Sequence, residues 1–514
     1  MKYFSIAGKY RFFILAMVML FAAQSCTQSI DDVSVDPNHS TVVNPGNLLT
    51  YASFNAFGPE FYGIDRYINQ FYIDWRFGGY HLQRNRGGFT NEYRQITIAD
   101  KMIDEAHRED QPVYYPIAAF FKAYWIFNVT RLFGDVPYSE ANNVGDDVML
   151  PAYDKQEDII YDILQQLKQA NADLADQKDA LIQGDIIYNG DATKWRKLIN
   201  MLRLRILINC TMQGSVKGEK VSDMFAEIVN DPSDNPLMEK LDDSPIRRED
   251  GNPNNYYTYG DNNFVSGYRV TQWLVKEMQG RHDYRLTVFA QPTIFAQANS
   301  LDPMDLDNYA GTNPFPNVNS NSNYPLEDSK KVSRINGRYY QNTMGPPTMI
   351  MGYPEQEFIL AEAALRGWIN GDAETYFENG IKASFDYFGV ADKVQTYLAA
   401  DGVKLSGTNT EKLERIITEK YLNFYLQGGY EGYLELRRTG YPDFTKYVTP
   451  DISTLYNNGR LPLRYMYPLG EITDNKQNVL AAISRLSGGD NVFSKMWLLQ
   501  GTDALRNPYP FPSQ

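Results

Sequence analysis

The residues most able to meet a ligand are aromatic and sit in polar loops. Tyr256, Tyr257 and Tyr259 stand among Asn and Asp in "DDSPIRREDGNPNNYYTYGDNNF", and Tyr309 and Tyr324 stand in the Asn- and Pro-rich run at 300–328. The stretch "NQFYIDWRFGGYHLQRNRGG" adds Trp75, Tyr80, Arg84 and Arg86 beside glycines. An aromatic face next to amide, carboxylate and guanidinium groups can stack on a sugar ring and bond its hydroxyls, and it can equally hold a peptide. Aromatics are 14% of the chain, so many must be core. Tyr376 and Tyr387, at helical spacing, are read as core, and the loop tyrosines as a recognition surface.

Bond-making chemistry finds little support. There is no HExxH, CxxC, GxSxG, Walker or GxGxxG pattern, and His39, His81, His107 and His282 are far apart with no ligand spacing. "RHDYR" at 281–285 places a histidine beside an acid, but adjacency in sequence is not a triad, and the segment reads as a charged turn after a helix at 270–279. Glu362 lies inside an apolar helix with Arg366 four residues on, the spacing of a structural pair. A glycosidase needs two carboxylates from anywhere in the fold, so that class stays open. No catalytic residue, metal ligand or cofactor is expected, although the acidic loops leave room for a structural cation such as Ca²⁺.

The N-terminus bears on location. Lys2, Lys9 and Arg11 precede twelve apolar residues, 12–23, too few for a bilayer span of roughly 20. Small residues then lead to Cys26, which resembles the lipid-accepting cysteine of a bacterial lipoprotein, although Ala23 stands where leucine is usual. Several acyl chains on Cys26 would anchor the protein firmly. Asp31 and Asp32 resemble an acidic surface-export signal. The expected division is a signal peptide at 1–25, a tether at 26–50 and one domain at 51–514. The only other cysteine, Cys210, shares a helical face with Trp195, Ile199, Leu202 and Ile206 and reads as a buried hydrophobe. The net charge is −14, and the leader contributes only cations, so the remainder is more acidic still. That argues against nucleic-acid binding.

Helices must carry these loops. "DKQEDIIYDILQQLKQANADL" has Asp154 and Glu157 at capping-box spacing and an apolar stripe of Ile160, Ile163, Leu167, Ala170 and Leu174. "EQEFILAEAALRGW" is apolar nearly all round. After the turn "INGD" a second helix shows Phe377, Ile381, Ser384 and Phe388 in one row and Gly380 with Ala383 in the next, which predicts a close helix approach. Such pairs look like tetratricopeptide-type hairpins, without a clean 34-residue repeat. "EKLERIITEKYLNFYLQ" leads to "GGYEGYLELRRTGYPDF", where Gly440 and Pro442 end a helix and Arg437 and Arg438 occupy its last turn.

Taken in order, these stretches resemble the SusD/RagB family, in its SusD-like 2 branch. "AAFFKAYWIFNVTRLFGDVPYSEA", "GRHDYRL", "PEQEFILAEAALRGW", "GDAETYFENGIKASFDYFG", "YLELRRTGYPD" and "RLPLRYMYP" carry the likeness over nearly the whole chain after the leader. "LRYMYP" is longer than the usual turn. The resemblance implies a mostly α fold, with a tetratricopeptide-like helix-pair scaffold and a loop-rich, irregular ligand-facing half. It also implies an outer-membrane, surface-exposed lipoprotein held by its lipid alone. Such a protein captures oligosaccharides or peptides and passes them to a SusC-like TonB-dependent transporter, with no bond chemistry. A lipoprotein glycoside hydrolase and a free-standing glycan-binding adhesin are the alternatives. The family's ligand residues vary too much to carry over, so Trp75, Tyr80, Arg84, Tyr256, Tyr257, Tyr259 and Tyr309 rest on the loop argument.

Overall fold

Helix α1 (Pro45–Ala56) opens the body of the protein, inside the stretch expected to be tether. Thr50 anchors it by donating to the Gly184 carbonyl at 2.7 Å. The computed structural model describes residues 42–58, 72–74, 89–141, 148–249, 251, 260, 264–265, 268–312, 331–447 and 461–507. Pro45 onward forms one compact unit.

Four antiparallel helix pairs make the scaffold, as the amphipathic and all-apolar stretches require. The first is α2 (Thr90–Arg108) with α3 (Tyr114–Phe133), and the second is α4 (Gln156–Ala175) with α5 (Ala192–Asn209). A short α6 (Val221–Asn230) packs on α5. Next come α7 (Gln272–Gly280), α8 (Leu286–Phe289) and α9 (Ile294–Ala298). The third pair is α10 (Tyr353–Leu365) with α11 (Ala373–Phe388). After α12 (Val394–Leu398), α13 (Asn409–Asn423) and α14 (Glu431–Thr439) form the fourth. α15 (Leu469–Asp474) and α16 (Lys476–Ser484) follow. α3 packs on α4, and α10 packs on both α5 and α13, so the pairs stack side by side.

The mostly α class expected from the sequence is what the protein has. Among the described residues the sheet content is four two-stranded antiparallel ribbons. The one that matters below pairs β1 (Tyr72–Asp74) with β2 (Tyr268–Val270), Asp74 opposite Tyr268 and Ile73 opposite Arg269.

The α4 stripe is fully buried, as expected. Its capping box is not formed: the N-cap is Lys155, with no side-chain cap bond. Asp154 instead accepts from the Tyr138 and Ser139 amides at 2.9 Å, and Glu157 accepts from the Lys217 amide at 2.8 Å. A tertiary turn thus outcompetes the local cap. A capping box does form at Thr408 and Glu411, before α13. Gly380 makes the close approach its row predicts: a Cβ there would lie 2.6 Å from the Phe358 ring. Gly440, at φ +80°, ends α14 as read from the sequence.

The stack is tied by buried charge. Arg131 meets Glu431 at 2.7 Å; Glu431 meets Arg205 at 3.2 Å; Arg205 donates through Nε to Glu355 at 2.9 Å. Glu355 lies 3.9 Å from Lys420, which reaches Glu435 at 3.0 Å. Arg438 then joins Glu435 to Glu362, and Arg366 joins Glu362 to Asp503 at 2.9 and 2.8 Å. These ten side chains alternate in sign, five cations and five carboxylates, and none is more than 8% exposed. The Glu362–Arg366 pair read from the sequence is one link. The charged groups of the "RHDYR" turn are likewise buried, while His282 is exposed: Arg285 grips Asp283 and reaches Glu419 at 2.8 Å, and Arg281 reaches the same Glu419 at 3.0 Å.

Candidate functional site

Trp75 follows Asp74, the last residue of β1, and Tyr259 precedes Gly260, whose amide donates to the Tyr340 carbonyl at 3.1 Å. Trp75, Tyr80, Arg84, Tyr256, Tyr257 and Tyr259 themselves lie outside the described residues, as do Cys26 and Tyr324. Tyr309 is described. It is 3% exposed, its hydroxyl donates to the Pro303 carbonyl at 2.8 Å, and burial, then Asp302, pushes its phenol up to about 12. Its ring packs and ties its own loop.

Residues 331–340 run beside β2 as an extra edge. Arg334 stands opposite Arg269, and Ile335 opposite Ala290. The Val270 amide donates to the Ser333 carbonyl at 3.2 Å, and the Gln291 amide to the Arg334 carbonyl at 2.9 Å. Seating one arginine across from another is unfavourable unless something else uses the charge. Burial, then the Arg334 charge, lowers Arg269 to about 10. Arg334 gives one Nη1 bond to the Val265 carbonyl at 3.3 Å, and its Nε is buried with no partner.

A short 3₁₀ turn, Gly337–Tyr339, then places Arg338 at the mouth of a narrow cleft. The cleft is walled by Tyr339, Pro346, Pro347, Tyr387, Phe388 and Tyr425. The wall is rigid. Phe289 stacks on Tyr425 with centroids 4.0 Å apart and planes 6° from parallel, and meets Phe388 edge-on at 4.8 Å. The Tyr425 hydroxyl donates to the Phe289 carbonyl at 2.9 Å. Tyr387, read from the sequence as core, is half-buried and lines this cleft, its hydroxyl 2.6 Å from both the Pro347 carbonyl and Gln427 Oε1. The space they wall is small, about 20 Å³, and Tyr339, Phe388 and Tyr425 are at most 5% exposed, so these rings pack on one another and present no open face to a ligand.

Arg334, Arg338 and Tyr425 were not singled out from the sequence, and Tyr387 was read there as core. One signal for the arginines was present: residues 329–354 contain four basic residues and no acid, in a chain of net charge −14.

A second opening is a polar groove of about 760 Å³ between α2, α3 and α4, lined by Tyr93, Tyr138, Asp100, Asp158, Asp162 and Lys122 among others. Its polar groups largely answer one another. Lys122 meets Asp100 at 2.6 Å, Tyr138 donates to Asp162, Gln166 donates to Asp162 at 2.7 Å, and Lys217 pairs with Asp158. Among the described residues no cluster of His, Cys, Asp or Glu could hold a metal ion, and no helix is long and apolar enough to cross a membrane.

Residues 37–468 match the family model SusD-like_2, described as "Starch-binding associating with outer membrane". Among solved structures, a SusD homolog from Bacteroides fragilis NCTC 9343 is 34% identical, with a TM-score of 0.79 over 90% of this chain and 100% of its own. A second SusD homolog from the same organism is 28% identical, with a TM-score of 0.78 over 89% of this chain and all of its own. A chitin-binding protein shares the fold at 23% identity, with a TM-score of 0.69 over 89% of this chain and all of its own. No curated protein matches the chain.

Proposed function

This chain belongs to the SusD-like_2 family, and from that premise we propose that it is a non-catalytic, cell-surface lipoprotein that binds nutrient glycans and delivers them to a SusC-like TonB-dependent outer-membrane transporter. The observation that carries the reading is the family match, which spans the stacked helix pairs and the loop-rich half together. The chemistry agrees. Tyrosines stand among Asn and Asp in the long loops, and Asp100, Asp158 and Asp162 of the polar groove are engaged by Lys122, Lys217 and Tyr138. Asp283 and Glu419, which stand closest to a histidine-containing segment, are buried and engaged by Arg285.

Within this reading Cys26 accepts the lipid, residues 27–44 tether the body, and the loops bearing Trp75, Tyr80, Arg84, Tyr256, Tyr257 and Tyr259 add to the glycan surface. The test is a mild-detergent pull-down of the C-terminally tagged chain from native outer membranes. A TonB-dependent barrel should co-purify, and Cys26→Ala should leave the membrane fraction. A wild-type protein that is membrane-bound yet comes down alone overturns the delivery role. Turnover of an oligosaccharide by the purified protein overturns the non-catalytic one.

A further inference from the structure

Among the described residues four asparagines are followed by glycine: Asn189–Gly190, Asn336–Gly337, Asn370–Gly371 and Asn379–Gly380. A glycine has no Cβ to shield its own amide nitrogen, which can therefore approach the carboxamide carbon of the asparagine before it. Three of these pairs are held apart by other bonds. The Gly190 amide donates to Asp185 Oδ2 at 2.9 Å. Asn336 gives Nδ2 to the Thr287 and Ala290 carbonyls at 2.9 and 3.3 Å, and its Oδ1 accepts from the Arg338 amide at 3.0 Å. Asn379 and Gly380 lie inside α11, and Asn379 Nδ2 donates to Glu357 at 3.2 Å.

Asn370–Gly371 is different. The pair lies at the tip of the α10–α11 hairpin and both residues are exposed. Among the described residues, nothing bonds the Asn370 carboxamide or the Gly371 amide. The fold also needs glycine at 371: its φ is +133°, and a Cβ there would lie 2.8 Å from the Tyr376 ring. The next residue, Asp372, caps α11 by accepting from the Glu374 and Thr375 amides at 3.3 and 3.1 Å.

We propose that Asn370 is a site of spontaneous covalent modification. The Gly371 amide nitrogen attacks Asn370 Cγ and the new C–N bond closes a succinimide. The Cγ–Nδ2 bond breaks, and Nδ2 leaves as ammonia with the proton shed by the Gly371 nitrogen. Water then opens the ring at either carbonyl. One opening gives aspartate; the other routes the main chain through Cγ and gives isoaspartate. Both products add a negative charge to the hairpin tip. The isoaspartate also lengthens the main chain just ahead of the Asp372 cap and loosens the start of α11.

The experiment is tryptic mapping by mass spectrometry of the full chain aged in mildly alkaline buffer, folded and in urea. Cleavage after Arg366 and Lys382 releases residues 367–382, so Asn370 and the helical Asn379 are read in one peptide. In the folded protein Asn370 should convert about tenfold faster, or more, than Asn189, Asn336 and Asn379, which must first lose a hydrogen bond or open locally. In urea the four should convert at similar rates. Isoaspartate should appear beside aspartate at 370, and Asn370→Gln should remove the mass gain there. Aged wild type should melt lower than Asn370→Asp, which carries the charge on an ordinary main chain. Conversion of Asn370 no faster than that of the three bonded asparagines in the folded protein overturns the proposal. Aspartate without isoaspartate overturns the succinimide route.

Discussion

Arg438 lies against Glu362 as a two-toothed fork, Nη1 2.6 Å from one carboxylate oxygen and Nη2 2.7 Å from the other, with neither side chain more than 3% exposed. The pair fastens α14 to α10. Arg438→Met would leave Glu362 with Arg366 alone in a dry interior, and the expected loss is about 3–5 kcal/mol. Urea unfolding of the variant checks it. A midpoint unchanged from wild type would mean the fork contributes nothing net.

The same carboxyl sets an acid limit. Burial raises the pKa of Glu362, but the Arg438 and Arg366 charges overcome burial and hold it at about 2, below its ordinary 4.5. A depressed folded-state value gives stability that is present above pH 4.5 and lost as pH falls from there toward 2. Glu362→Gln should therefore be less stable than wild type at pH 7, with the gap closing across that window. A gap constant from pH 7 to pH 2.5 would contradict the assignment.

Glu357 shows the opposite sign. Burial pushes it up to about 7, and Asn379, at 3.2 Å, and Gln356 only partly counter this. An acid with a raised folded-state value stays protonated in the fold, so stability falls as pH rises from 4.5 through 7. Glu357→Gln should raise the thermal midpoint at pH 8, by about 1–3 kcal/mol in stability, and do nothing at pH 4. Equal effects at both pH values would refute this.

Gly380 has no room for a side chain. Its virtual Cβ would sit 2.6 Å from Cε1 of Phe358, across the α10–α11 hairpin. In an open helix Gly→Ala would gain about 1 kcal/mol. Here overpacking should win, and Gly380→Leu should cost about 1–3 kcal/mol. Differential scanning calorimetry of the Ala and Leu variants decides the sign.

Cys210 should be silent in the native protein. Its Sγ donates to the Ile206 carbonyl at 3.3 Å, the residue is fully buried, and burial pushes the thiol far above its ordinary range. A thiol reagent should label Cys210 only after denaturant is added. Labelling at native rates near those of free cysteine would show that the α5 end opens.

Much of the scaffold was legible because it is written in local periodicity. The α4 stripe, the Gly380 approach and the Gly440 stop each depend on spacings within one or two turns. Asp154 shows where local reading ends. Its chain position suits a helix cap, but the amides of Tyr138 and Ser139 claim it from 15 or 16 residues away. The ligand side was less legible for the same reason. Tyr387 has core spacing on α11, yet Pro347 and Gln427 hold it at a cleft rim. Arg334 comes to face Arg269 only once the fold lays its segment beside β2.

The alternating buried charges also act as a checksum on assembly. Apolar helix faces are interchangeable, and hairpins joined by grease alone could dock in a shifted order with little loss. Here each link names its partner by sign: α5 offers Arg205 to Glu355 of α10, and α13 offers Lys420 to Glu435 of α14. A misordered stack strands a charge in the interior, at several kcal/mol per ion, and so unravels before it sets. Exchanging the two ends of one link, Arg205→Glu with Glu355→Arg, therefore tests reading against mere pairing. Glu431 also needs Arg205, so the swapped chain should refold to heterogeneous products even though its charges still balance.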